Sequence, residues 1–174
     1  MDEIVIRKTK VKDIKQIADL TNAIWRSAYA HIMPQEIFEK IEEEKDQQIE
    51  IAEKRVNKYG RIEYVAVQGD KVVGLVIGKV QSRYHEYDSR GFANLGGLYI
   101  DPEYQHLGIG KKLFDKVVEH FKGQGYKKMF LGVLKDNVQA RRAYEKWGCK
   151  LDDYERPFEI MGYSFPEVFY IFDL

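Results

Sequence analysis

The chain has 174 residues with 28 basic and 28 acidic side chains, so no global field argues for nucleic acid or an anionic membrane as partner. Hydrophobic residues make up 44% and aromatics 13%, enough to bury a real core in a single domain over residues 1–174. One cysteine, Cys149, excludes an intrachain disulfide, and no apolar run approaches the roughly 20 residues of a membrane span. The acidic opening Met1-Asp2-Glu3-Ile4 lacks a signal-peptide core, so a cytoplasmic protein is expected, with no metal.

Ile4 to Lys8 reads as an opening strand. A helix is expected from about Lys12, with Ile14, Ile17, Leu20, Thr21, Ile24 and Trp25 on one face. Pro34 suits the first turn of a second helix carrying Ile37, Phe38 and Ile41, and another helical piece runs on to about Gly60. Two strands, Ile62 to Val67 and Lys71 to Val80, flank a hairpin-like turn at Gln68-Gly69-Asp70. Ser82 to Gly91 is polar and aromatic and is expected to be a loop.

A central strand begins near Phe92 and contains Gly96-Gly97, which signals a bulge or a close approach by another backbone or a ligand. Ile109, Leu113, Phe114, Val117, Val118 and Phe121 mark a helix that ends at Gly123 or Gly125. Met129 to Leu134 is a nearly all-apolar strand, as expected where both faces are covered. Asn137, Ala140, Tyr144 and Trp147 share one face of a further helix that Gly148 stops. Two late strands, about Lys150 to Phe158 and Phe165 to Phe172, complete an α+β domain with a mixed sheet. Tyr170 and Phe172 make that last strand a candidate for pairing across a homodimer.

Between the central strand and its helix lies Gln105-His106-Leu107-Gly108-Ile109-Gly110-Lys111. A glycine-bearing turn that opens a helix can hold a phosphate, because the first helical N–H groups lack internal partners and the macrodipole is positive there. A dinucleotide fingerprint needs a third glycine where Leu113 stands. A P-loop needs glycine and Ser or Thr where Gln105 and Lys112 stand. The remaining pattern, Gln-x-x-Gly-x-Gly after Leu-Tyr-Ile-Asp-Pro, resembles the acetyl-CoA pyrophosphate loop of the GNAT superfamily of N-acetyltransferases. Asn137-x-x-Ala-x-x-x-Tyr-x-x-x-Gly resembles that family's second signature, with Cys149 where the family has Phe.

The resemblance is specific from about Phe92 to Gly148, and it implies a mostly antiparallel sheet with a splayed parallel strand pair and helices on both faces. It implies that backbone groups of Leu98, Tyr99 and Ile100 hold the pantetheine and acetyl carbonyl. Gln105, His106, Leu107, Gly108, Ile109, Gly110 and Lys111 would hold the pyrophosphate. Asn137 and Ala140 would contact the cofactor, and Tyr144 would both bind it and protonate the departing CoA thiolate. A phenol suits that role: its reference pKa of about 10 exceeds a thiol's, about 8.5, so it stays protonated and can donate. Cys149 follows a helix C-terminus, where thiolate is disfavoured, and reads as a core thiol; direct transfer in a ternary complex is therefore expected.

Many family members carry a Glu on the central strand, where this chain has Asn94-Leu95-Gly96-Gly97. The general base is then a water relayed by Asn94 or a loop residue, with His31, Glu36, His85 and Glu86 as candidates. Trp25, Tyr29, Met33, Tyr84 and Tyr87 are expected to wall an acceptor channel, with Glu36, Glu86 and Asp88 attracting a cationic amine. The run from Trp25 to Glu36 is similar to a segment of the family's polyamine-type enzymes. A small primary amine, polyamine-like, is the expected acceptor, with CoA as product. A peptide N-terminus, a non-catalytic CoA sensor and a nucleotide-binding module remain open as alternatives.

Overall fold

The computed structural model describes residues 3–174. Strand β1 (Ile4–Lys8) leads through a 3-10 turn, Val11–Asp13, into α1 (Ile14–Tyr29). Helices α2 (Gln35–Glu43) and α3 (Lys45–Arg55) precede strands β2 (Arg61–Gln68) and β3 (Lys71–Lys79). Then come α4 (His85–Ser89), β4 (Ala93–Ile100), α5 (Ile109–Gly123), β5 (Lys128–Leu134), α6 (Val138–Lys146), β6 (Lys150–Ile160) and β7 (Tyr163–Asp173). The strands hydrogen-bond in the order β1-β2-β3-β4-β5-β7-β6, a mixed sheet whose β4 and β5 are parallel. The chain divides into two compact units: the chain up to Ile77 with Gly97–Lys116, and Gly78–Gly96 with Val117–Leu174.

In the first unit, Ile14 and Ile17 of α1 pack on Val65, Val67, Val72 and Leu75, with Leu20, Ile49 and Ala52 around them. Burying each aliphatic side chain of this kind is worth about 1.5–3 kcal/mol. Side chains alternate along a strand, so Gly74 looks to the side opposite its neighbour Leu75. A Cβ there would lie 2.9 Å from Ile100 and 3.1 Å from Leu113 of α5, so glycine lets α5 press close against the second face. The Gln16 side chain clamps the β2–β3 hairpin: its Nε2 donates to the Asp70 carbonyl and its Oε1 accepts from Val72 N–H, both at 3.0 Å.

In the second unit, β5 pairs along its whole length with β7, from Lys128↔Asp173 to Leu134↔Glu167. On its other side β7 pairs with β6, and Met161 and Gly162, both at positive φ, make the turn between them. Being hydrogen-bonded on both sides, β7 has no free edge, so the expectation that Tyr170 and Phe172 pair across a dimer through this strand is corrected.

A second correction concerns Ser82 to Gly91, expected as a loop. It contains α4, whose start is organised by Asp88 accepting from Ser82 N–H and Oγ at 2.9 and 3.0 Å. Tyr84 and Tyr87 from this segment join Phe92, Phe130 and Phe169 in a buried aromatic cluster, with Tyr87 stacked on Phe130 at 4.2 Å.

Asp13 is buried and receives two bonds from the Arg7 guanidinium, at 2.6 and 2.9 Å, and one from Lys10 N–H at 2.8 Å. Burial works to raise its pKa, but the Arg7 bonds, the Lys10 N–H and the nearby positive charge outweigh it and hold the carboxyl below 3.8. Asp13→Asn is expected to cost about 2 kcal/mol near neutral pH, less than a fully buried broken pair because Arg7 is partly exposed. The folded value is depressed, so this stabilisation is complete above the unfolded value of about 3.9 and is lost as pH falls through the native one. Urea unfolding should show a gap between wild type and variant at about pH 7 that narrows at about pH 3; an equal gap at both would contradict the ion pair's role.

Candidate active site

In the first unit, β4 runs out at Ile100 into Asp101, whose Oδ1 accepts from Glu103 N–H at 3.1 Å and caps a 3-10 turn. Lys71 reaches the same carboxylate at 2.9 Å, and Tyr104 donates to Gln68 Oε1 at 2.7 Å, so the strand end is tied to the β2–β3 hairpin. Gln105 Nε2 donates to the Ile100 carbonyl at 3.4 Å and draws the turn back over the strand. His106 at φ +63° and Gly108 at φ +77° reverse the chain into α5, and a Cβ on Gly108 would meet nothing. His106, Leu107 and Gly108 are exposed, Ile109 is buried beneath them, and Gly110 and Lys111 form the first helical turn. Lys111 is paired with Asp115 one turn on.

Gly97 on β4 has a definite reason to be glycine: a Cβ would stand 2.8 Å from the Tyr99 ring. Trp25 meets Tyr29 edge-on at 5.3 Å, and its indole N–H points at Tyr99 Oη, 3.4 Å away. Two residues expected to wall the acceptor channel therefore sit with one expected to hold cofactor. Met33 is buried, while Glu36 and His31 are exposed.

In the second unit, the β4–β5 parallel ladder comprises Ala93↔Met129 and Asn94↔Phe130. Asn94 is buried where that ladder ends, and its Nδ2 makes long contacts to the carbonyls of Phe130 and Leu95, at 3.4 and 3.5 Å. Two residues on, the Lys79 side chain lies against Gly96, and its Cε would be 2.9 Å from a Cβ there. The close approaches at Gly96-Gly97 are thus made by side chains, Lys79 on one glycine and Tyr99 on the other, and not by another backbone.

Asn137 caps α6: its Oδ1 accepts from Ala140 N–H at 3.1 Å. Tyr144 is buried one turn further, edge-on to Trp147 at 5.7 Å and near Tyr170 at 6.3 Å. Tyr170 donates to Glu145 at 2.6 Å and accepts from Arg141 Nε at 3.1 Å, which fixes α6 against β7. Cys149 is buried, its N–H bonded to the Tyr144 carbonyl. His85 and Glu86 are exposed on α4, and Asp88 is engaged with Ser82.

Tyr84 and Tyr87, expected on a channel wall, lie in the aromatic core. Tyr87 donates to Asp152 at 2.6 Å, and burial, followed by that bond, raises its pKa. Tyr84 donates to both oxygens of Glu167, at 2.9 and 2.8 Å, and burial, followed by the Glu167 charge, raises its pKa too. Glu167 is only 6% exposed, and burial is the main cause that raises its own pKa. Sequence reasoning missed this carboxylate. Its signal is parity: Glu167 shares the period-two face of Phe165 and Phe169 in an otherwise apolar strand.

The cofactor that such a turn would take is tested by the space around it. The exposed Gly108 backbone and the start of α5 leave room for an anion to approach main-chain N–H groups, and the residues fit a pyrophosphate. Among the described residues no helix is long and apolar enough to cross a membrane, and no cluster of His, Cys, Asp and Glu could hold a metal ion.

Comparison with known proteins agrees. An uncharacterised N-acetyltransferase of Bacillus subtilis is 28% identical over 170 residues, covering 95% of this chain and 90% of that one. A spermidine N(1)-acetyltransferase of Thermoplasma acidophilum is 26% identical over 153 residues, covering 86% and 90%. The crystal structure of a Thermoplasma acidophilum N-acetyltransferase in complex with coenzyme A superposes with a TM-score of 0.75 at 23% identity over 99% of both chains. Residues 16–149 match the Acetyltransferase (GNAT) family. The chain belongs to that family and is an acetyl-CoA-dependent N-acetyltransferase.

Proposed function

We propose that the chain acetylates a primary amine of a small molecule, with a polyamine-like amine favoured, by direct transfer in a ternary complex. The observation that carries the reading is the turn at Gln105–Lys111: glycine-bearing, open, and set at the start of an amphipathic helix. In the first unit, N–H groups of this turn would hold the pyrophosphate, and the backbone of Leu98, Tyr99 and Ile100 the pantetheine arm. When bound, acetyl-CoA supplies an acetyl group activated as a thioester.

In the second unit, Tyr144 would give its proton to the departing sulfur, because a phenol with a reference pKa of about 10 is still protonated at neutral pH and can donate as negative charge develops on the sulfur. Ala140, small and one turn before Tyr144 on α6, would let the pantetheine arm lie against that helix. The burial of Cys149 supports direct transfer over an acetyl-cysteine step. The polyamine preference is supported by the similarity to the Thermoplasma spermidine acetyltransferase and by Glu36, exposed in the first turn of α2, which would attract a cation. The balance of 28 basic and 28 acidic residues supports neither nucleic acid nor a membrane as partner.

Thiol release with acetyl-CoA and a panel of polyamines, aminoglycosides, amino acids and short peptides tests the acceptor. Polyamine turnover is expected; response to peptides alone would replace the small-amine reading, and silence with tight acetyl-CoA binding would favour a sensor. Tyr144→Phe is expected to leave acetyl-CoA affinity near wild type and lower kcat by about 100-fold, the low end of general-acid contributions. An unchanged kcat across pH would remove Tyr144 as the acid. Gly110→Asp is expected to weaken acetyl-CoA binding by more than about ten-fold, through a carboxylate set against the helix-terminal anion site. Calorimetric titration reads this, and wild-type affinity would refute the pyrophosphate assignment.

A further inference from the structure

Three carboxylates lie buried among the described residues: Asp13, Glu63 and Glu167. Asp13 is held by both guanidinium nitrogens of Arg7, and Glu63 is paired with Arg61. These are closed ion pairs, which is what burial of a charge ordinarily requires. Glu167 is different. Its close donor is a neutral phenol, Tyr84, bridging both oxygens, while the half-exposed Arg83 stands 3.7 Å away. Arg156 of β6 adds a more distant positive charge. A carboxylate with so little compensation is a functional-site signal.

Its position is as specific as its chemistry. Glu167 pairs with Leu134 at the end of β5, and its carboxylate leans diagonally over Gly132. A Cβ on Gly132 would lie 2.5 Å from Glu167 Oε1, so the glycine makes the place that the carboxylate fills. The ladder from β5 to β4 stops at Phe130, two residues before Gly132. Glu167 and Tyr170 are three apart on β7 and face opposite sides, and Tyr170 faces α6 and Tyr144. One carboxylate and one phenol are thus set on the two sides of the sheet beside the stretch where β5 leaves β4.

We propose that Glu167 is the general base of the acetyl transfer, supplying the carboxylate missing from the central strand, with Tyr84 positioning it. The inference rests on the proposed role of Tyr144. As the amine nitrogen bonds to the acetyl carbon, its proton passes to Glu167. The carbon–sulfur bond breaks with its electron pair on sulfur, which takes a proton from Tyr144. Glu167 then releases its proton to solvent and Tyr144 regains one, so the products are the acetamide and CoA thiol. The positive charges of Arg83 and Arg156 oppose protonation of Glu167, but burial outweighs them and raises its pKa, which makes it a stronger base than an exposed glutamate.

The test compares wild type with Glu167→Gln and Glu167→Asp in the full chain. Glutamine keeps an acceptor for the Tyr84 hydroxyl, so thermal midpoint and acetyl-CoA affinity should stay near wild type. With the best amine of the panel, kcat at neutral pH should fall by about 10²- to 10³-fold, the range of general-base catalysis, and recover in part as pH rises toward the amine's own pKa. Glu167→Asp should fall between the two. Wild-type kcat in Glu167→Gln would overturn the proposal, as would a loss uniform across pH with a lowered thermal midpoint, which a purely structural Glu167 would give. If wild type turns over no amine, the small-amine reading fails separately, and slow hydrolysis of acetyl-CoA by water reads the same base: a matching fall in Glu167→Gln supports it and unchanged hydrolysis overturns it. Independently of turnover, carboxyl-carbon NMR of the ligand-free chain should show Glu167 titrating above the ordinary glutamate value; an ordinary or lowered value overturns the proposal.

Discussion

Asn94 sets the constraint on which the second unit depends. Two parallel strands would gain by continuing their ladder, since every buried N–H and carbonyl needs a partner. Instead the ladder closes at Asn94↔Phe130, and the Asn94 side chain turns its amide toward the Phe130 and Leu95 carbonyls where the next rung would form. From that point β5 relies on β7, which pairs with it to Leu134. Glycine at 132, the lean of Glu167 over it and the bond from Tyr84 all belong to the stretch that this interruption frees. A side-chain amide is a weak substitute for a rung, and the surrounding aromatic cluster of Tyr87, Phe92, Phe130 and Phe169 gives the strands the rigidity that the ladder lacks.

The contrast among buried carboxylates separates structure from chemistry. Asp13 and Glu63 are each closed by an arginine: the Arg7–Asp13 pair fastens β1 to the turn before α1, and the Arg61–Glu63 pair lies within β2. Glu167 is held by a hydroxyl that can accommodate either protonation state, because a phenol donates to a carboxylate and can accept from a carboxylic acid. An arginine clamp would have pinned the charge. The phenol leaves the carboxyl free to change it.

Much of this architecture is legible in the sequence, for local reasons. The opening strand, the amphipathic helices and the β2–β3 hairpin follow from periodicity and glycine placement, and the strand–turn–helix at Gln105–Lys111 follows from glycine spacing after an apolar run. What escapes is non-local or masked. α4 is five residues long with polar outward positions, so Tyr87 within it and Tyr84 just before it look like loop residues until Ser82 and Asp88 are seen to organise them. The interior place of β7 depends on strand order, which no stretch of sequence encodes by itself. Glu167 hides in an aromatic strand beside Pro166, where a lone charge reads as an outward position; only its parity with Phe165 and Phe169 says otherwise.

The lone thiol has a practical consequence. Cys149 is buried, and its backbone N–H is bonded to the last turn of α6. While the protein is folded, an aromatic disulfide reagent added to a reaction mixture therefore colours with free coenzyme and scarcely with the polypeptide. Once the second unit opens, the same reagent finds one sulfur per chain. A single stopped-flow trace can then separate turnover from denaturation, the first growing with substrate and the second bounded at one equivalent.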